Sequence, residues 1–189
     1  MIFTEDSEAS PALKEKALLG LFIQWLAPVN PVYPQGIGDD CAVVKTPHAE
    51  TLLTTDSVTF GKHFDNSIHA KSVGAKLIKR NISDIAAMGG TPQNALLNIL
   101  CGSNVSLHWL EDFFAGICET CQAYEIKIVG GDLSSLDPNQ FSAALTLTGF
   151  TEKPKLRKTA QIGDAIYVTG TLGGSILGKH HTFIPRLKE

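Results

Sequence analysis

Few cysteines, little positive charge and no long apolar run mark this sequence, and each shortage excludes a class of protein. The four cysteines, Cys41, Cys101, Cys118 and Cys121, have neither disulfide-framework nor zinc-finger spacing. Cys118 and Cys121 form a lone CxxC without a second pair or a histidine beside it, too few ligands for zinc. In a helical pattern the two share a face, so small core residues are the simpler reading. Reduced thiols fit a cytoplasmic protein. No apolar run reaches the ~18 residues that cross a bilayer. Met1 to Ser10 is polar and acidic, unlike a signal peptide, and is expected to fray. Lys and Arg number 16 against 19 Asp and Glu, a net charge of −3. The most basic run, Lys153 to Lys158, is short and holds Pro154, so no nucleic-acid partner is expected. A GxxxxGK[ST] loop, an HRD or DFG set and a GxSxG elbow are all missing, as is any internal repeat.

What is present is an ordinary globular composition, 43% hydrophobic and 19% charged over 189 residues. That is enough to build a core, and the length fits one domain with part of a second. Ser10-Pro11 can start a helix, with Leu18, Phe22 and Trp25 on its apolar side. Strands are expected at Cys41–Lys45 and Thr51–Thr55, joined at hairpin length. A helix follows from about His69 to Met88, burying Val73, Leu77, Ile78, Ile82 and Ile85, and Gly89-Gly90 stops it. A strand over Gln93–Leu100, a helix over Val105–Tyr124 and strands at Ile126–Val129, Phe141–Phe150 and Ala165–Thr169 complete the pattern. The class is α/β, of the α+β kind, with helices on one face of a mixed, largely antiparallel sheet.

Four acidic sites stand beside glycines or hydroxyls. Gly36-Ile37-Gly38-Asp39-Asp40 is a glycine-rich turn with adjacent carboxylates, which repel unless a cation sits near them. Thr54-Thr55-Asp56 ends a strand, Asn81-Ile82-Ser83-Asp84 lies in a helix, and Gly130-Gly131-Asp132 follows another strand. Together they suit ATP with several Mg²⁺ ions, because phosphoryl transfer needs positioning and charge neutralisation. Each site taken alone has a second reading. The first is equally a solvated loop, Asp84 can pair with Arg80 at i, i+4, Asp56 can cap a turn, and Asp132 can form an Asx turn. His180-His181 reads as a solvated pair.

The set GIGDDCAVV (36–44), TTD (54–56), His63, NISDIAAMGG (81–90), GGD (130–132) and LRKTAQIGDAIYVTGTLG (156–173) resembles the thiamine-monophosphate kinases. Several of these motifs are shared more loosely with the wider aminoimidazole ribonucleotide synthetase-like family. The resemblance implies direct in-line transfer of the γ-phosphoryl of ATP to thiamine monophosphate, with Mg²⁺ as cofactor. It implies Asp40, Thr54, Thr55, Asp56, Asp84 and Asp132 as metal ligands, the threonines partly through backbone oxygen. Gly131, Asp132 and Arg157 would contact ATP, and His63 the substrate. It also implies a homodimer formed through the sheet, with nucleotide near the interface and some ligands supplied in trans. Residues 1–35 would be a helix and linker, 36–170 the ATP- and metal-binding domain, and 171–189 the start of a second domain. The acidic residue near the transferring phosphate is expected in that second domain, so no catalytic residue is assigned here. Two other readings stay open: another ATP-dependent synthetase of the same fold, and a non-catalytic nucleotide-binding module.

Overall fold

Runs of period 2 and period 3.6 alternate along the chain, and the structure follows them. It is a computed structural model describing residues 1–4, 15–32, 50–156, 160–168, 170–174 and 178–187. The elements are α1 (Glu15–Leu26), β1 (Thr51–Thr59), α2 (Ala70–Ala87), β2 (Thr91–Gly102), α3 (Leu107–Ala123), β3 (Lys127–Leu136), β4 (Phe141–Phe150) and the single turn α4 (Lys179–Thr182). The strands form one mixed sheet in the order β1-β4-β2-β3. β4 pairs antiparallel with β1 and β2, and β2 pairs parallel with β3.

β4 shows why the sheet has one covered face. Phe141, Ala143, Leu145 and Leu147 are buried, while Ser142, Ala144, Thr146 and Thr148 between them are half-exposed. The apolar set meets α2, and α3 lies against α2, so the expected arrangement of helices on one face holds. The expected apolar stripe of α2, from Val73 to Ile85, is buried as read, and Cys118 and Cys121 are buried thiols. Gly89 and Gly90 close α2 by donating to Ala86 O and Ile85 O at 2.9 and 3.0 Å, the double bond of a Schellman end. Ser106 caps α3 by accepting from the Trp109 amide. At one end of the core Trp109 stacks on Phe64 and Phe113 and meets Phe141 edge-on, centroids 4.9 to 5.7 Å apart.

Several expectations need correction. Residues 1–4 are docked rather than frayed: Ile2 is buried, and its carbonyl accepts from Ser106 N at 2.5 Å. β1 runs four residues beyond Thr55, because β4 offers backbone partners as far as Thr59. The Gly130-Gly131-Asp132 motif lies inside β3, not in a turn after it. A register shift at Ala95/Leu96 lets the parallel pairing continue, and Gly131 carries the strand past a point where any Cβ would overlap the Leu97 carbonyl oxygen. Ala165–Val168 is not a strand; no described strand pairs with it, and Ile166 and Tyr167 are exposed. The expected strand at Cys41–Lys45, Ser10 and the Gly36–Val44 motif lie outside the described residues.

α2 and α3 touch backbone to backbone. A Cβ on Gly74 would overlap the Phe113 carbonyl, and one on Gly116 would overlap that of Lys71. Alanine is the better helix former by about 1 kcal/mol. We nevertheless expect Gly116→Ala to lose about 1–3 kcal/mol through overpacking. Urea unfolding checks this; a raised midpoint would contradict the contact.

Candidate functional site

Three of the five charged residues of α2, Lys76, Arg80 and Asp84, repeat every four positions. That spacing puts them in one row. α2 runs back along β1 after the turn at Phe60–His69, so the row meets β1 and that turn step by step. Lys76 Nζ donates to the His63 carbonyl at 2.7 Å. Arg80 donates through Nη1 to the Ser57 carbonyl at 2.8 Å and through Nη2 to Asp56 Oδ1 at 2.5 Å. Thr54 Oγ1 donates to Asp84 Oδ2 at 2.6 Å. Thr54, Asp56, His63 and Asp84 are thus gathered at one corner.

Strand alternation divides the TTD motif. Thr54 and Asp56 turn toward α2, while the Thr55 hydroxyl bonds Leu145 O and Thr146 Oγ1 on β4. Arg80 therefore pairs with Asp56, not with Asp84 as helix spacing allowed. Asp56 is a strand residue rather than a turn cap.

His63 is half-buried, and its Nδ1 accepts from the Thr59 amide at 3.1 Å. That bond fixes a neutral ring with its proton on Nε2. Burial holds the His63 pKa below its ordinary value; Arg80 and then Lys76 lower it further, and Asp56 opposes them. The Lys76 pKa is lowered by burial and then by Arg80.

Asp132 is not brought to this corner within the chain. It pairs with Asn98 of β2 in the register, at the opposite edge of the sheet. β4 and β2 separate β1 from β3, roughly 14 Å at ordinary strand spacing. Asp132 is exposed and accepts from Ser134 Oγ at 2.7 Å. Beside it, Gly130 and Gly131 join Phe22, Leu26, Leu97 and Phe114 around a cleft of about 200 Å³. Asp40 and Arg157 lie outside the described residues.

The corner fits a hard cation in donor type: two carboxylates and a hydroxyl, all oxygen. Mg²⁺ is commonly held by one or two carboxylates together with substrate phosphates. Among the described residues no three His, Cys, Asp or Glu gather as a metal-holding group, so the set is incomplete as it stands. Two cations of the corner, Lys76 and Arg80, are not among the expected site residues. Their signal was the i, i+4 spacing 76, 80, 84, read only for the Arg80–Asp84 pair.

The fold agrees with the comparisons. Residues 38–151 match the family model for AIR synthase related protein, N-terminal domain, and the chain belongs to that family. Similar curated proteins are named thiamine-monophosphate kinase. The one from Rhodopirellula baltica is 39% identical over 162 residues, covering 81% of this chain and 51% of its own length. The one from Haemophilus influenzae is 35% identical, covering 88% and 51%. The chain therefore spans about half the length of these relatives. A solved structure described as AaThiL complexed with AMPPCP and TMP is 34% identical, with a TM-score of 0.67, over 89% of this chain and 52% of that one. A hydrogenase maturation protein HypE shares the fold at 16% identity and a TM-score of 0.58.

Because the folded His63 binds its proton less readily than an unfolded histidine, the unfolded state holds more protons at mildly acid pH, and stability rises with pH there. The contribution is present above about pH 6.5, the usual histidine value, and is lost as pH falls below it. We expect His63→Gln to flatten part of the acid-side loss in melting temperature; an unchanged slope would contradict this environment for the ring.

Proposed function

We propose that this chain serves ATP-dependent phosphorylation of thiamine monophosphate to thiamine diphosphate. The observation that carries the reading is the likeness to AaThiL complexed with AMPPCP and TMP, 34% identical over 89% of this chain. The convergence of Thr54, Asp56, Asp84 and His63 supports it.

In this reading Asp56, Asp84 and Thr54, with Thr55 through its backbone and Asp40, hold Mg²⁺ near the phosphates. When bound, the metal would neutralise phosphate charge, which would ease in-line transfer without a phosphoenzyme. The apolar cleft beside Gly131 takes the nucleobase, and Asp132 at its rim, distant from the corner of its own chain, would join the metal set of a second copy. Arg157 supplies a permanently charged fork for phosphate. His63 contacts the substrate with a neutral ring, which limits unwanted charge there. The uncovered sheet face, where Leu53 is 72% and Leu96 46% exposed, supports a homodimer paired through the sheet. The incomplete donor set among the described residues supports a second reading in which this chain binds Mg-ATP without turning it over.

Incubating the 189-residue chain with Mg-ATP and thiamine monophosphate, and reading product by mass, separates the two. Thiamine diphosphate is the expected product; binding of Mg-ATP without product favours the second reading. Asp56→Asn and Asp132→Asn should each weaken Mg-ATP binding by about tenfold or more, a loss of ~1.4 kcal/mol, and by more than they weaken folding. Wild-type nucleotide affinity in both, measured by calorimetry, would remove the metal assignment. His63→Ala should spare Mg-ATP binding.

A further inference from the structure

Arg80 is the cation that Asp56 holds in this structure. Its guanidinium makes two bonds, to Asp56 Oδ1 and to the Ser57 carbonyl, so the fork is placed rather than loosely paired. The Arg80 and Asp56 side chains are 28% and 25% exposed, which shields the pair partly from water. Lys76 lies one helical turn earlier, and like charges at that spacing oppose each other. The corner thus carries two protein cations beside the carboxylate proposed to bind metal.

Resting on the metal reading above, we propose that Arg80 is a resident counter-cation that makes metal binding at Asp56 depend on phosphate. Without nucleotide it neutralises Asp56 and repels a second cation from the carboxylate. A divalent ion arriving with a polyphosphate takes Asp56 Oδ1, while Arg80 keeps its bond to Ser57 and turns the freed Nη2 to a phosphate oxygen. No covalent step is involved; one charge-assisted hydrogen bond is exchanged for another. The consequence is weak affinity for the bare metal and coupling between metal and nucleotide.

A unit charge about 5 Å from a divalent ion changes its binding by about tenfold even at the dielectric of water. Calorimetry with Mn²⁺ alone, and with Mn²⁺ plus a non-hydrolysable ATP analogue, tests the proposal on the full chain. Arg80→Gln and Arg80→Met should bind Mn²⁺ alone about tenfold more tightly than the wild type and gain less from the analogue. Arg80→Lys, which keeps the charge and drops the fork, should bind bare Mn²⁺ within about twofold of the wild type. A structural role for Arg80 gives the opposite sign, weaker metal binding once the strand is unlatched. Wild-type Mn²⁺ binding that is unchanged or weakened in both neutral variants overturns the proposal and leaves the metal reading standing. No Mn²⁺ binding by wild type or variants, with or without the analogue, overturns the metal reading and the proposal with it.

Discussion

Everything at the candidate site depends on how close α2 sits to α3. The glycines at 74 and 116 let the two backbones meet, each facing a carbonyl of the other helix. A contact with no side chain between leaves little freedom in the separation or rotation of α2. Rotation is what matters chemically, since a turn of 100° per residue decides which side chains look toward β1. With Val73, Leu77 and Ile85 held in the core, the row Lys76, Arg80, Asp84 has to lie along the β1 side. A packing constraint between two helices therefore sets the chemistry at a strand.

The corner is electrostatically balanced by protein groups. Asp56 is satisfied by Arg80, Asp84 by Thr54, and the Lys76 ammonium by a carbonyl. Asp84 is exposed, but Asp56 is half-buried and Lys76 buried, and such groups without partners would be costly, so a resting chain with such a site has to supply them. They also latch β1 to α2. β1 is an edge of the sheet among the described residues, and edge strands are the ones most exposed to wrong pairing. The same residues thus hold the strand and hold its carboxylates in place.

Much of this was legible in the sequence where period and punctuation agreed. α2 and β4 were readable nearly to their ends: one has apolar residues on a 3.6 period with Gly89-Gly90 behind it, the other strict alternation over Phe141–Phe150. What was not legible depended on pairing with distant strands. The extension of β1 to Thr59 exists because β4 lies beside it, and 90 residues separate Thr55 from Leu145, to whose carbonyl it donates. The glycines of Gly130-Gly131-Asp132 look like a turn locally, but the register shift against β2 turns them into strand. Partner choice was equally hidden. Arg80 had Asp84 at ideal helical spacing, yet strand alternation placed Asp56 within its reach.

The remaining question is how Asp132 can belong with the corner. Asp56, Leu145, Leu97 and Gly131 form one row across the sheet. Leu145 and Leu97 are buried, so the covered face offers no path from one end of that row to the other. Asp132 belongs to the next row, with Ser57, Ala144 and Asn98. Asp56 looks toward α2 and Asp132, paired with Asn98, toward the open face, so a ligand touching both acids of one chain would have to pass around the edge of the sheet. In the homodimer proposed above, pairing through the open face could bring Asp132 of one copy to the β1 edge of the other. The proposed dimer would thus answer a separation of about 14 Å that one chain does not bridge.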